Sequence, residues 1–214
     1  MEKNNNTIFI IDDDDEIRQS LTLLLNSYRY KVNSYPKIEQ FLKNENYSGA
    51  GCILLDVFFK GKTGLELKEE IETKFEHLPI IFISGHGNIP MSVEAVKKGA
   101  VSFLQKPIDE RELFSAIEEA LSRSNYLIEK YREIEKYKSL VSSLTAREYE
   151  IFNFVITGAP NKIIASELGI AEHTIKNHRL KITEKLEVKS VAELIYIADK
   201  LSIKGSVVKH NRDF

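Results

Sequence analysis

The sequence has a single cysteine, five prolines and ten glycines in 214 residues, and it contains no long apolar run. One cysteine excludes a disulfide framework and a cysteine-based zinc site, and Cys52 lies in an apolar run that predicts a buried small side chain. No apolar stretch approaches the roughly 20 residues that a membrane helix needs, and the polar residues 1–6 are unlike a secretory signal. These absences predict a cytoplasmic protein that does not bind membranes.

The composition is that of a globular protein, with 43% hydrophobic and 29% charged residues. The length is large for one domain and fits two. Residues 1–121 carry 14 basic and 20 acidic residues, whereas residues 144–214 carry 11 basic and 9 acidic ones. This change of sign supports two domains, although a small basic surplus by itself says little about nucleic-acid binding.

The first half of the chain alternates between short apolar runs and helical patterns. The runs predict five buried strands near residues 7–11, 32, 51–55, 80–83 and 101–104. Helical spacing follows each run, including short helices at 36–42 and about 90–98. Such an alternation is typical of the α/β class and predicts a doubly wound, five-stranded parallel sheet.

Polar residues follow four of these strands at their carboxyl ends. Asp12 and Asp13 follow the first strand, Asp56 the third, Ser84 the fourth and Lys106 the fifth. Parallel strands bring their carboxyl ends to one crevice, where three carboxylates repel each other and favour a bound divalent cation. Oxygen ligands suit Mg²⁺. With a phosphoryl group present, Asp56 is the expected nucleophile, and the ammonium and the hydroxyl would contact phosphoryl oxygens.

Each of these residues alone also has an ordinary explanation. An Asp-Asp pair after a strand often caps a helix, Ser84 often caps a turn, and Lys106 is often a surface ammonium. Their convergence on one sheet edge favours the functional interpretation. The Lys106-Pro107 bond is a candidate for the cis isomer.

Four segments resemble the receiver domain of two-component response regulators. They are Ile10-Ile-Asp-Asp13, Leu54-Leu-Asp56, Ile83-Ser84-Gly-His-Gly87 and Phe103-Leu-Gln-Lys106-Pro107. The residues from Ser84 to Ala100 are similar to the FixJ branch in particular. The resemblance covers residues 7–121 and implies a CheY-like, flavodoxin-like fold.

The same resemblance implies roles for individual residues. Asp56 would accept a phosphoryl group from a sensor histidine kinase, Lys106 would contact that group, and Ser84 and Phe103 would form a switch pair. Mg²⁺ would be held by Asp12, Asp13, Asp56 and the backbone carbonyl of Phe58. A turn cap and a core aromatic remain the alternative interpretations of Ser84 and Phe103. One departure follows Asp56: Val57-Phe-Phe-Lys60-Gly61 replaces a polar stretch, which is expected to affect kinase recognition or phosphoryl lifetime.

Residues 122–143 are charged but periodic. Leu127, Ile134 and Val141 recur every seven residues, and Lys138 interrupts the intermediate positions that begin with Tyr131. This pattern predicts a helical linker, which is either a short dimeric coiled coil or an ordinary solvated helix.

From Leu144 onward the pattern is helical only. Capping boxes begin at Thr145 and Ser190, and helices at 161–168 and about 172–186 flank a turn at Gly169, with helix-turn-helix proportions. On the second helix, the face opposite the inward apolar residues and His178 presents His173, Lys176, Asn177, Leu180 and Lys181. Such a face either reads base edges in a major groove or is simply a solvated cationic surface.

Three motifs in this half resemble the LuxR/NarL-type DNA-binding domain. They are Leu144-Thr-Ala-Arg-Glu148, Asn161-Lys-Ile-Ile-Ala165 and Thr174-Ile-Lys-Asn-His178, followed by Glu184-Lys-Leu186. The resemblance spans about residues 142–201 and implies base contacts by Lys176, Asn177 and Leu180. It implies phosphate contacts by Lys162, Thr174, Arg179 and Lys181, and pairing of two such domains through the last helix. Ala171 departs from the usual serine and removes an expected N-cap.

Together these observations predict a receiver domain (1–121), a helical linker (122–143), a DNA-binding domain (144–204) and a polar tail (205–214). The expected function is that of a transcription factor that dimerises on phosphorylation, binds double-stranded DNA and contacts RNA polymerase, and that is not an enzyme. One alternative is a magnesium-dependent aspartyl phosphatase, which Phe58 disfavours because it occupies the usual position of the general acid. The other is a phosphorylation-independent DNA binder with a vestigial receiver.

Overall fold

The computed structural model describes residues 6–44, 47–59, 62–85, 93, 95–97 and 99–206, with the backbone alone at 59 and 62–66. Contacts divide the chain into two compact units, residues 1–130 and 131–214. The helix predicted at about 90–98 and the tail after residue 206 lie largely outside the described residues. Among the residues that are described, no helix is long and apolar enough to cross a membrane.

The first unit is built on a five-stranded parallel sheet that consists of β1 (Thr7–Ile11), β2 (Lys31–Tyr35), β3 (Gly51–Asp56), β6 (Ile80–Ser84) and β7 (Ser102–Gln105). The order of these strands across the sheet is β2-β1-β3-β6-β7. Two short strands after β3, β4 (Phe58–Phe59) and β5 (Lys62–Thr63), form a separate antiparallel pair. The crossover order of the parallel strands confirms the predicted doubly wound sheet.

Among its described residues, the first unit includes the helices α1 (Asp15–Ser27), α2 (Ile38–Phe41), α3 (Gly64–Lys74) and the first part of α4 (Glu110–Ser142). Helix α2 is shorter than predicted, because Lys37 has an extended backbone and serves as its N-cap. Helix α4 is continuous over 33 residues, so the fifth receiver helix and the predicted helical linker are one element. Neither glycine nor proline occurs between Glu110 and Ser142 to end it.

Central strands of the sheet are buried on both faces. Phe9 and Ile53 belong to one apolar cluster, whereas Ile8 and Cys52 belong to the cluster on the opposite face. This arrangement explains why these strands read as uninterrupted apolar runs. The Cys52 side chain is fully buried as predicted, and burial raises the pKa of its thiol to about 12.

The second unit contains α5 (Ala146–Val155), α6 (Asn161–Leu168), α7 (Glu172–Lys185) and α8 (Val191–Lys200). The capping box at Thr145 is complete, and Gly169 ends α6 in a left-handed conformation. The second predicted capping box is only half formed. The Oγ of Ser190 accepts from the backbone N–H of Glu193, but the Glu193 carboxylate accepts from the N–H of Lys189, one residue too early.

Residues from the end of α4 pack against the core of the second unit. Tyr137, Leu140 and Val141 contact its buried cluster, which contains Phe152 and Ile182. Val141 therefore packs inside the second unit. The heptad pattern of the predicted coiled coil loses its last apolar position. Upstream, Tyr131 remains 63% exposed.

Candidate functional site

The loop after β1 is fixed by hydrogen bonds between its backbone and its own carboxylates. Asp14 is the N-cap of α1, and its Oδ1 accepts from the backbone N–H groups of Glu16 and Ile17 at 2.9 and 3.2 Å. The N–H of Asp14 donates to Oδ1 of Asp12 at 2.9 Å. Asp12 is buried, with 2% of its surface exposed. The loop therefore directs the carboxylate of Asp12 into the protein while that of Asp14 caps the helix.

Lys106 joins the loop after β1 to the end of β3. Its Nζ lies 2.9 Å from Oδ2 of Asp12 and 2.9 Å from Oδ1 of Asp56. The second oxygen of Asp56 accepts from the backbone N–H of Phe58 at 2.9 Å. Lys106 is itself attached to the neighbouring strand, since its N–H donates to the carbonyl of Ser84 at 2.8 Å, and its bond to Pro107 is cis. The predicted convergence of carboxylates and ammonium at one sheet edge is thus observed.

The carboxylates of Asp12, Asp13 and Asp56 form a cluster in which one oxygen from each residue lies within 4.8 Å of the other two. One ammonium cannot balance three negative charges at such short range. A set of carboxylate oxygens at this spacing fits a hard divalent cation such as Mg²⁺, which prefers oxygen ligands. We call this cluster, together with Lys106, the acidic crevice.

Burial and hydrogen bonding act in opposite directions in the acidic crevice. Burial raises the pKa of Asp12, and the hydrogen bonds from Lys106 and from the Asp14 N–H offset only part of this effect. Burial also works against the charge of Lys106, but its hydrogen bonds to Asp12 and Asp56 outweigh burial and raise the lysine pKa. The protein therefore maintains a carboxylate whose charge its surroundings disfavour, as often occurs at functional sites.

The predicted switch residues lie on the neighbouring strands β6 and β7. Ser84 is fully buried at the end of β6. Phe103 on β7 is half-buried and pairs in register with Phe82. It packs against the apolar cluster that contains Phe82 and Phe9. Phe58, two residues after Asp56, is 48% exposed. The roles of these residues stay predictions.

Sequence patterns did not identify Arg18 as part of the acidic crevice. Its Nη1 donates to the backbone carbonyl of Asp12 at 2.7 Å, and its Nη2 is paired with the carboxylate of Asp15. The spacing of Asp15 and Arg18 predicts their pairing on one helix face. The contact to the carbonyl has no such sequence signal.

In the second unit, α7 presents a polar surface. Its inward residues Ile175 and Ile182 are fully buried. The exposed residues of α7 include His173, Lys176, Asn177, Leu180 and Lys181, and Lys162 is exposed on α6. Leu180 is 60% exposed, which is unusual for leucine and leaves it free to contact another molecule. The face predicted to read bases is therefore accessible.

Two predicted phosphate contacts are less exposed than expected. Thr174 and Arg179 are half-buried, and Nη1 of Arg179 donates to Oδ1 of Asn161 at 2.8 Å. This bond connects α7 to the start of α6 and helps to set the angle between the two helices. His178 is also half-buried, and its buried Nδ1 has no hydrogen-bond partner among the described residues. Ala171, as its residue type implies, caps α7 without a side-chain hydrogen bond.

A second carboxylate–lysine pair, between Glu148 and Lys185, connects α5 to α7. Nζ of Lys185 lies 2.5 Å from Oε2 of Glu148 and also donates to the carbonyl of Ser143 at 3.2 Å. The backbone N–H and the hydroxyl of Thr145 donate to the same carboxylate oxygen. The hydrogen bond from Lys185, followed by that from Thr145, lowers the pKa of Glu148 to about 2.

A parallel sheet with an acidic crevice, followed by a helix-turn-helix with an accessible polar helix, defines a regulator with a receiver domain and a DNA-binding domain. Comparison with known families agrees: residues 8–118 match the response regulator receiver domain, and residues 142–198 match the bacterial regulatory proteins of the luxR family. Nodulation protein W of Bradyrhizobium diazoefficiens is 38% identical over 93% of this chain and 88% of its own length.

Two solved structures extend the similarity to nearly the whole chain. The response regulator StyR has 39% sequence identity and a TM-score of 0.77, covering 92% of this chain and 99% of that one. Full-length FixJ from B. japonicum has 32% identity and a TM-score of 0.55, covering 94% and 98%. The protein therefore belongs to the two-component response regulators with a receiver domain and a LuxR-type DNA-binding domain, and it is a transcription regulator.

Proposed function

We propose that Asp56 accepts a phosphoryl group from a sensor histidine kinase and that this modification controls DNA binding through α7. The observation that carries the proposal is the position of Lys106, whose Nζ lies 2.9 Å from both Asp12 and Asp56 in a cluster of three carboxylates. A carboxylate oxygen of Asp56 would bond to phosphorus as the bond between phosphorus and the donor breaks. Lys106 would then exchange a carboxylate contact for a phosphoryl oxygen.

The donor set of the acidic crevice supports Mg²⁺ as the cofactor. Asp12, Asp13, Asp56 and the backbone carbonyl of Phe58 would hold it. When bound, Mg²⁺ supplies positive charge that offsets the negative charge of the phosphoryl oxygens. The chain itself positions the nucleophile, since Lys106 and the N–H of Phe58 each hold one oxygen of Asp56.

Ser84 and Phe103 are proposed to transmit the modification. The Ser84 hydroxyl would donate to the phosphoryl group, and the half-buried Phe103 ring would turn further inward on the adjacent strand. This change would shift an existing equilibrium between two receiver states. The activated state would favour a homodimer through a receiver face that includes β7, with α8 pairing the two DNA-binding domains.

For DNA recognition we propose that Lys176, Asn177 and Leu180 contact bases. Lysine and asparagine donate to base edges in the major groove, and leucine can contact a thymine methyl group. Lys162, Thr174, Lys181 and the remaining donors of Arg179 would contact phosphates. RNA polymerase is a further proposed partner. The cytoplasm is the proposed location, since the DNA partner lies there.

We also propose that the protein does not turn over external phosphoesters. A phosphatase using Asp56 as its nucleophile needs a general acid, and Phe58 occupies the position two residues later. The aromatic side chain carries no transferable proton. A phosphatase assay with a generic aryl phosphate is expected to give no turnover above buffer.

Labelling by a small phosphodonor tests the assignment of Asp56. Wild-type protein incubated with acetyl phosphate and Mg²⁺ is expected to gain the mass of one phosphoryl group, and Asp56→Asn is expected to gain none. Asp199→Asn, a change at an exposed aspartate of α8, is the matched control and should be labelled normally. Labelling of Asp56→Asn at the wild-type level would remove Asp56 from this role.

DNA binding provides the second test. Sites selected from random duplex DNA by the phosphorylated protein are expected to bind Asp56→Ala more weakly than phosphorylated wild type. The weaker binding should persist when acetyl phosphate is present. Equal affinity for the two proteins under phosphorylating conditions would instead favour a phosphorylation-independent regulator.

A further inference from the structure

Five consecutive acidic residues, Asp12 to Glu16, lead from the acidic crevice into the first turn of α1. Neighbouring carboxylates repel each other, so this loop keeps one conformation only where cations and N–H donors hold it. Arg18 lies one turn into α1, two residues after the acidic run, and its side chain is only 12% exposed. A guanidinium so near the loop can act either through its charge or through its directed N–H groups.

Arg18 bonds to a backbone carbonyl as well as to a carboxylate. Its Nη1 donates to the carbonyl of Asp12 at 2.7 Å, while its Nη2 is paired with the carboxylate of Asp15. The Asp12 carbonyl and the Asp13 N–H belong to one planar peptide unit. Arg18 therefore fixes the plane from which the Asp13 side chain departs.

The Asp12 carboxylate is held by different groups. Its oxygens accept from the N–H of Asp14 and from Nζ of Lys106, both at 2.9 Å. Orientation of the two adjacent aspartates thus depends on separate contacts: Lys106 and Asp14 act on the first carboxylate, and Arg18 acts on the peptide that precedes the second. With both sets of contacts in place, one oxygen each of Asp12, Asp13 and Asp56 lies within 4.8 Å of the other two.

We propose that Arg18 is a positioning residue for the acidic crevice, and that its hydrogen bond to the Asp12 carbonyl sets the Mg²⁺ affinity by fixing the Asp12–Asp13 peptide. This inference rests on the proposed function, in which the crevice holds Mg²⁺. Arg18 contacts neither the metal nor the phosphoryl group in this proposal. It acts only through the aspartates.

Charge and geometry make opposite predictions for loss of Arg18. If the guanidinium acted only as a nearby positive charge, removing it would strengthen cation binding, because a repulsive charge would be lost. If it positions the peptide, removing it weakens binding, because the carboxylates no longer converge. The sign of the change in affinity therefore separates the two roles.

The experiment measures Mg²⁺ binding to the full-length protein by titration calorimetry without any phosphodonor. Arg18→Met, which keeps the aliphatic volume, is expected to bind Mg²⁺ about 10-fold more weakly than wild type, a typical effect of losing a group that orients metal ligands. Arg18→Lys keeps the charge and one donor, so its affinity should fall between the two. With acetyl phosphate, the Mg²⁺ concentration for half-maximal labelling should rise in Arg18→Met, with little change in the maximal rate.

Asp15→Asn is the matched control, because it removes the charged partner of Arg18 without changing the Asp12 carbonyl. It should bind Mg²⁺ nearly as tightly as wild type. Unchanged or tighter binding by Arg18→Met would overturn the proposal, as would weaker binding by Arg18→Lys than by Arg18→Met. If Arg18→Met fails to fold, as judged by circular dichroism, Arg18→Gln takes its place. Arg18→Gln should then bind Mg²⁺ more weakly than Arg18→Lys, and equal or tighter binding by Arg18→Gln would overturn the proposal. Absence of Mg²⁺ binding by wild type would contradict the proposed function itself.

Discussion

Both units of the protein contain a buried carboxylate bonded to a lysine, but the two carboxylates have opposite pKa shifts. In the receiver, burial raises the pKa of Asp12 despite its bond to Lys106. In the DNA-binding unit, the bond to Lys185 and the donors of Thr145 lower the pKa of Glu148 to about 2. The environment thus disfavours one negative charge and favours the other.

The difference lies in what surrounds each pair. Lys185 bonds to Glu148 and to a backbone carbonyl, and Thr145 donates two further hydrogen bonds to the Glu148 carboxylate. These donors stabilise the negative charge of Glu148. Asp12 shares Lys106 with another carboxylate, Asp56. Two carboxylates that share one ammonium repel each other. This repulsion is unfavourable in a purely structural ion pair, but it is expected at a site that binds a cation and a phosphoryl group.

The largest expected effect is that of removing the lysine from each pair. Lys106→Met leaves Asp12 and Asp56 buried beside each other without their shared ammonium, which should cost about 3 kcal/mol of receiver stability without Mg²⁺. Lys185→Met leaves Glu148 with the donors of Thr145 and should cost the second unit less. Hydrogen exchange read by mass spectrometry measures local stability in each unit separately. Equal losses for the two variants would contradict the comparison.

A smaller effect is expected for Glu148→Gln. The pKa of Glu148 is lowered from 4.5 to about 2, so its charge stabilises the folded state above pH 4.5 and this contribution is lost as the pH falls toward 2. Because 35% of the Lys185 side chain is exposed and screened by solvent, we expect a loss of only about 1–2 kcal/mol at neutral pH. Acid unfolding of the second unit should become less pH-dependent between pH 4.5 and 2 in the variant, as circular dichroism can measure. An unchanged acid transition would refute the role of this charge.

Asp12→Asn is expected to act in the opposite direction and less strongly. A raised folded-state pKa means that stability from this group is fully present below its ordinary pKa of 3.8 and is lost as the pH rises through the folded value. At neutral pH and without Mg²⁺, Asn removes the unfavourable charge, and the receiver should become more stable. Added Mg²⁺ should stabilise wild type more than the variant. A destabilised Asp12→Asn receiver in chelator would show that Lys106 satisfies this carboxylate after all.

Much of the acidic crevice could be predicted from sequence because its residues follow directly from the strands. Asp12, Asp56 and Lys106 each come within two residues of a strand end, and parallel strands place those ends at one edge. Likewise, helical periodicity correctly separated the buried Ile175 from the exposed Asn177 on α7. These are properties of backbone topology and of residue spacing.

The contacts of the arginines could not be predicted in the same way. Arg18 bonds to a backbone carbonyl, and Arg179 bonds to Asn161 on a different helix, 18 residues away. Long side chains have several rotatable bonds, so spacing along the chain predicts a partner on the same helix face, such as Asp15 for Arg18, but not one on the backbone of a loop or on another helix. The second capping box formed only in half for a related reason, since the Glu193 carboxylate accepts from the backbone N–H of Lys189 and from the hydroxyl of Ser190.

The smallest expected effect concerns the two helix N-termini of the second unit. Helix α5 has a complete capping box at Thr145, whereas α7 begins at Ala171 without a side-chain acceptor. Ala171→Ser supplies a side-chain oxygen that can accept from the N–H groups at the start of α7 and should raise the stability of the second unit by about 0.5–1 kcal/mol. Thermal unfolding measures this change, with Ala171→Val as the control that adds no acceptor. If the uncapped end instead serves DNA phosphates, the serine variant should gain stability while losing some affinity for DNA. A gain in both would show that the missing cap has no connection with DNA binding.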